Sequence, residues 1–284
     1  MTISKDKVHE ILLKATEIRE HVLEMTCRAK SGHPGGSMSM SEIITILYFY
    51  WLKIDPANPS WEERDYFVLA KGHAAPALYA ALAMRGYFPM DYLQSLRQVG
   101  SPLQGHPDKR SLPGIDMSTG SLGQGLSVMV GMALALRHDK KPNRVYGILG
   151  DGECQEGQVW EAAMAASHFN LGNLCIFIDK NGLQIDGATK DVMNIDPLAD
   201  KFKAFGWETI TIDGHNIIEI VATLEKAGQV ADKPVAIIAN TVKGKGITFM
   251  EHQVCYHGAP ITDEQLVKAK CELDAAKGVI VCHL

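Results

Sequence analysis

The sequence predicts an α/β protein with a doubly wound, mostly parallel sheet and helices on both faces. Three observations carry that reading. From residue 144 onward, short runs of strand type alternate with helical stretches. The run at 174–178 is apolar throughout, as a buried strand of a parallel sheet is. Two of the strand runs end in turns rich in glycine and aspartate, Gly150-Asp151-Gly152 and Asp179-Lys180-Asn181-Gly182. At ~150 residues per domain the 284 residues allow two domains or one large unit. The motifs below fit a single domain over 1–284.

The elements follow in order. Residues 5–30 set Val8, Ile11, Leu12, Ala15, Ile18, Val22 and Met25 at helical spacing, with Ser4 as the cap. The run Ser31-Gly32-His33-Pro34-Gly35-Gly36 then breaks the helix and reads as a loop. A second helix is expected over 41–52, a strand over 66–69 and an alanine-rich, close-packed helix over 74–85. Residues 126–137 form the next helix, fed by the glycine-rich 120–125 loop. Strands at 145–149, 174–178, 209–212 and 235–238 alternate with helices at 156–169 and 217–230. A last helix is expected over 262–277, capped by Thr262.

Composition narrows the function classes. The net charge of −5, without a run of Lys or Arg, argues against a nucleic-acid partner. No apolar stretch reaches the ~18 residues of a membrane span, and the amphipathic start is not a secretory signal. Cys27, Cys154, Cys175, Cys255, Cys271 and Cys282 form no Cys-x-x-Cys pair. They read as reduced thiols of a cytoplasmic protein, not as a disulfide framework or a zinc site.

Ligands of open α/β sheets bind beyond the carboxyl ends of the strands, where both marked turns fall. A βαβ crossover sets consecutive strands side by side, so Asp151 and Asn181 converge although thirty residues separate them. One carboxylate, one amide oxygen and free carbonyls suit a hard divalent cation that completes its shell with phosphate oxygens and water. The glycines beside Asp151 let a diphosphate approach the backbone near a helix N-terminus. The 120–125 loop lacks both the dinucleotide fingerprint and a P-loop lysine. Four of the eleven histidines stand beside glycine or proline in loop contexts: His33, His73, His106 and His257. Loops carry function, and imidazoles exchange protons near neutral pH.

With these residues assembled, the chain resembles the N-terminal, diphosphate-binding half of transketolases over nearly its whole length. The matching stretches are Lys30 through Gly36, Lys71-Gly72-His73-Ala74, Gly105-His106-Pro107, Thr119 through Gly125, Gly150 through Gly157, Asp179-Lys180-Asn181 and His257-Gly258-Ala259-Pro260. The resemblance implies thiamine diphosphate as cofactor. It implies Mg²⁺ or Ca²⁺ held by Asp151, Asn181 and the carbonyl of Leu183. Gly152, His73 and His257 would contact the diphosphate, and the backbone of Gly120, Ser121 and Leu122 the aminopyrimidine. His33, His106 and His257 would line the substrate funnel, and Glu156 and Glu161 match glutamates at an interface between paired sites. The implied reaction moves a two-carbon ketol unit from a ketose phosphate to an aldose phosphate, as in the pentose phosphate pathway. The cofactor is the electron sink, while the protein orients and moves protons.

Full-length relatives add a pyrimidine-binding domain and a third domain, and only 27 residues follow His257. The resemblance therefore implies the N-terminal subunit of a split transketolase, paired with a C-terminal subunit in an α2β2 assembly. A 1-deoxyxylulose-phosphate synthase, the α subunit of a 2-oxo-acid dehydrogenase, or a non-catalytic thiamine-diphosphate-binding module are the alternatives. The four loop histidines fit sugar hydroxyls better than the first two.

Overall fold

In the computed structural model, which describes residues 3–282, the chain forms a five-stranded parallel sheet wrapped by helices. Helix α1 (Lys5–Ala29) is capped by Ser4, whose hydroxyl accepts the Lys7 N–H. It is followed by α2 (Pro34–Ser39), α3 (Ser41–Ile46), β1 (Tyr66–Leu69) and α4 (Ala75–Arg85). Then come α5 (Gln124–His138), β2 (Val145–Gly150), α6 (Gly157–His168) and β3 (Leu174–Lys180). A hairpin of β4 (Leu183–Gln184) and β5 (Gly187–Ala188) leads to α7 (Thr189–Val192) and α8 (Leu198–Ala204). The chain continues through β6 (Glu208–Asp213), α9 (Ile217–Gln229) and β7 (Val235–Asn240) to α10 (Asp263–Cys282). Thr262 caps α10 reciprocally: its hydroxyl accepts the Gln265 N–H while the Gln265 side chain accepts the Thr262 N–H.

The strand order is β1-β2-β3-β7-β6, all parallel. Side chains alternate across the two central strands and divide the core. Cys175, Phe177, Val235, Ile237 and Ala239 join α1, α3, α4 and α9 on one face. Leu174, Ile176, Ile178, Ala236 and Ile238 join α5, α6 and α8 on the other. The sheet is thus doubly wound, as its sequence predicts. Strand order reverses between β3 and β7, and this switch point opens a crevice at their carboxyl ends. Among the described residues, no helix is long and apolar enough to cross a membrane.

Two expectations need correction. The Ser31–Gly36 run ends α1 but does not stay a loop, because α2 starts at Pro34 and contains both Gly35 and Gly36. Proline at the first helical position loses no hydrogen bond there and has its φ preset. Gly35 is required by packing: a Cβ on it would lie 2.7 Å from the Tyr256 carbonyl oxygen. The helix expected over 41–52 instead changes at Leu47 into a π turn, Leu47–Trp51.

Candidate active site

The site is built at the carboxyl ends of β2, β3 and β7. Gly150 and Asp179 are register partners, so the turns after β2 and β3 meet. The Asp151 carboxylate is buried, 2% exposed, and accepts backbone N–H groups from Gly152 at 2.9 Å and Gly182 at 2.8 Å. Burial and the neighbouring charge of Asp179 push it up to about 6. Asn181 donates its amide to Asp179 and accepts the Leu183 N–H on its oxygen. The Leu183 carbonyl accepts the Lys243 ammonium at 3.0 Å.

These atoms converge on a cavity of about 270 Å³ lined by Asp151, Gly152, Asn181, Leu183, Leu122, His73 and His257. The residues fit a hard cation with a diphosphate. The donor set is all oxygen, and burial with the neighbouring Asp179 charge disfavours the ionised Asp151 carboxylate, a form that a bound cation would stabilise. A Cβ on Gly152 would stand 3.2 Å from the Gln184 Cβ, a tight contact that glycine avoids. Two buried ammonium groups, Lys71 and Lys243, add positive charge to the lining.

Asp179 is the hub below the cavity. Fully buried, it accepts hydrogen bonds from Ser39 at 2.6 Å, Lys71 at 2.5 Å, Asn181 and Thr241. Burial alone would raise its pKa, but Lys71 and these donors outweigh burial and lower it. Glu153 clamps the 120–125 loop to the β2 turn, accepting the N–H of Gly123 at 3.0 Å and of Gly150 at 3.1 Å. Gly120 presses on the His106 ring: a Cβ there would lie 2.7 Å from His106 Cδ2.

The four loop histidines gather in space. His73 and His257 stack with ring centroids 5.1 Å apart; His33 lies 5.3 Å from His73, 5.8 Å from His257 and 6.4 Å from His106. Their titration differs from the near-neutral exchange expected of isolated imidazoles. Burial, then Arg97, His106 and Lys243, depress His33 to about 4. Burial and Lys243 depress His257 to about 3, and burial with Lys71 holds His73 well below its usual value. At neutral pH the cluster is therefore a set of uncharged imidazoles, each with one donor and one acceptor nitrogen.

Glu156 reaches the mouth of the cavity, whereas Glu161 sits exposed on α6, away from the lining. Ser121 is exposed beside the rim residue Leu122. Residues that sequence patterns did not assign also shape the site. Lys71, Asp179 and Glu153 lie inside the matched stretches, and Lys243 is flagged by its glycine-rich surroundings, Lys243-Gly244-Lys245-Gly246. His215 shares the glycine-adjacent signature of the other loop histidines; its Nε2 accepts the Val242 N–H and its Nδ1 meets Glu42 at 2.9 Å. Arg97 carries no sequence signal.

The family profile described as transketolase, thiamine diphosphate binding domain, matches residues 12–278. The 6-deoxy-6-sulfo-D-fructose transketolase subunit SqwG of Clostridium sp. (strain MSTE9) is 50% identical over 261 residues, covering 92% of this chain and 95% of its own. An apulose-4-phosphate transketolase subunit of Phocaeicola vulgatus is 39% identical over 267 residues, 94% of this chain and 95% of its own. The solved transketolase of Campylobacter jejuni superposes with a TM-score of 0.88 at 32% identity, covering 99% of this chain and 46% of that one. The chain thus spans just under half the length of that solved transketolase. Motif order, site geometry and these likenesses agree, and the chain belongs to the transketolase family as its thiamine-diphosphate-binding domain.

Proposed function

We propose that this chain is the N-terminal subunit of a two-chain transketolase that moves a two-carbon ketol unit from a ketose phosphate to an aldose phosphate. The observation that carries the reading is one cavity lined by His73, His257 and the Asp151–Asn181 turn pair, with His33 packed against both histidines and His106 beside His33. Asp151, Asn181 and the Leu183 carbonyl would hold Mg²⁺ or Ca²⁺, with Gly152, His73 and His257 on the diphosphate. The backbone of Gly120 to Leu122 would meet the aminopyrimidine. Thiamine diphosphate, when bound, supplies the electron sink for breaking the bond between C2 and C3 of the ketose. His33, His106 and His257 hydrogen-bond the sugar hydroxyls and hold the protons that move as the bond breaks.

The relatives matched over 95% of their length are named as transketolase subunits, which supports a separate C-terminal chain bearing the pyrimidine-binding domain. Exposed Glu156 and Glu161 suit an interface of an α2β2 assembly. The single five-stranded sheet that joins β1, β2, β3, β7 and β6 supports reading 1–284 as one domain. Six free cysteines suit the reducing cytoplasm. The likeness to SqwG favours a second donor reading, a ketose carrying a sulfonate in place of the phosphate. The test is reconstitution: the chain with its cognate partner, thiamine diphosphate and Mg²⁺, assayed on ketose phosphates, sulfofructose and pyruvate. Transfer from a ketose supports the proposal. Turnover of pyruvate alone, or of nothing, overturns it.

A further inference from the structure

Arg97 stands at the wall of the histidine cluster in a backbone conformation that side-chain-bearing residues rarely adopt, with φ 58°. Its N–H closes a loop onto the Leu103 carbonyl at 2.9 Å. Its guanidinium then reaches three groups: the Ser31 hydroxyl at 3.2 Å, His33 Nδ1 at 3.2 Å and the Gly105 carbonyl at 3.3 Å. A Cβ on Gly105 would come within 3.0 Å of the guanidinium carbon, so the glycine leaves room for this approach. Among the described residues no carboxylate lies within ion-pair distance of Arg97.

The chemistry of this contact is one-directional. A guanidinium has five N–H donors, no acceptor and no accessible neutral form. The hydrogen bond to His33 therefore requires a bare lone pair on Nδ1, and the ring proton of the neutral imidazole must reside on Nε2. That edge of the ring turns the other way, toward His257 and Gly258: a Cβ built on Gly258 would lie 3.7 Å from His33 Nε2.

We propose that Arg97 is a positioning residue that fixes His33 in its Nε2–H tautomer, so that His33 offers the funnel a hydrogen-bond donor. The proposal rests on the site reading above for what the donor meets, an oxygen of the sugar. The tautomer itself depends only on the Arg97 contact. Around the ring, His73, His106 and His257 are neutral neighbours at neutral pH, and the cations Arg97 and Lys243 oppose a second proton.

Nitrogen-15 spectroscopy of the full chain tests this without reading activity. The His33 ring signals, assigned with His33→Gln, should show a bare Nδ1 and a protonated Nε2 throughout the neutral range. In Arg97→Met the two tautomers should mix, and the protonation midpoint of His33 should rise by about one pH unit or more. Arg97→Lys should restore part of the shift. A wild-type His33 protonated on Nδ1, or doubly protonated at neutral pH, overturns the proposal; this measurement decides even if the Met variant does not fold. A folded Arg97→Met with unchanged signals and midpoint overturns it as well. Failure of ketol transfer would leave these results intact, so the two readings fail separately.

Discussion

Gly150 and Asp179 are partners in the parallel ladder between β2 and β3. One residue beyond Gly150 is Asp151, and two beyond Asp179 is Asn181. The register of two buried strands therefore decides that these residues meet. The next contact confirms it: the Gly182 N–H donates to Asp151 Oδ2 at 2.8 Å. A slip of one residue would exchange the side chains packed in the two cores, so the specific packing of both faces holds the register and with it the site geometry.

The buried Arg19–Glu42–His215 chain fixes the approach to Lys243 and predicts acid sensitivity. Burial pushes the Glu42 carboxyl up, but Arg19 at 2.6 Å and His215 outweigh it and leave it at about 2. A folded pKa below the unfolded 4.5 adds stability that is present above pH 4.5 and lost as pH falls toward 2. Glu42→Gln should cost about 3 kcal/mol near neutral pH, because it strands a buried guanidinium. It should also flatten the decline of stability in that acid window. Urea unfolding from pH 7 down to pH 3 measures both.

The histidine cluster gives a second pH signature. His33 and His257 titrate near 4 and 3 in the fold but at 6.5 when unfolded. The unfolded chain therefore binds more protons over this interval, and their contribution to stability falls as pH drops from 6.5 toward 4. Asp151 and Glu153, raised to about 6 and about 7, act in the opposite sense between their unfolded values and these. The difference between wild type and the His33→Gln/His257→Gln double variant isolates the histidine part. Between pH 6.5 and 4.5 the melting temperature of the double variant should fall less on acidification than that of wild type.

Gly35 sets packing against propensity. Alanine in a helix is ordinarily preferred to glycine by about 1 kcal/mol. Here its methyl group would meet the Tyr256 carbonyl at 2.7 Å and force the turn carrying His257 to move. Gly35→Ala should therefore destabilise, by roughly 1–3 kcal/mol in urea unfolding. It should also weaken cofactor binding through the displaced His257.

Much of the architecture is legible in the sequence, and the exceptions have physical causes. The strands 174–178 and 235–238 read directly because both faces are buried and nothing polar interrupts them. The observed strands run on to Lys180 and Asn240, where the polar residues that build the site take over. Helix α2 is illegible because glycine propensity argues against it, whereas contact with Tyr256 demands glycine. The Gly-Asp-Gly turn and the loop histidines stand out by local context. Arg97 and the Glu42–His215 pair do not, since their partners lie 64 and 173 positions away and only the fold brings them together.

One titration tests whether Asp151 anchors a metal–diphosphate site. Thiamine diphosphate is titrated by calorimetry into the chain assembled with its partner, with and without Mg²⁺, for wild type and Asp151→Asn. Wild type should bind in a Mg²⁺-dependent way, and replacing the carboxylate should weaken binding at least about tenfold. Equal binding by both proteins, or wild-type affinity indifferent to Mg²⁺, would contradict that anchoring role.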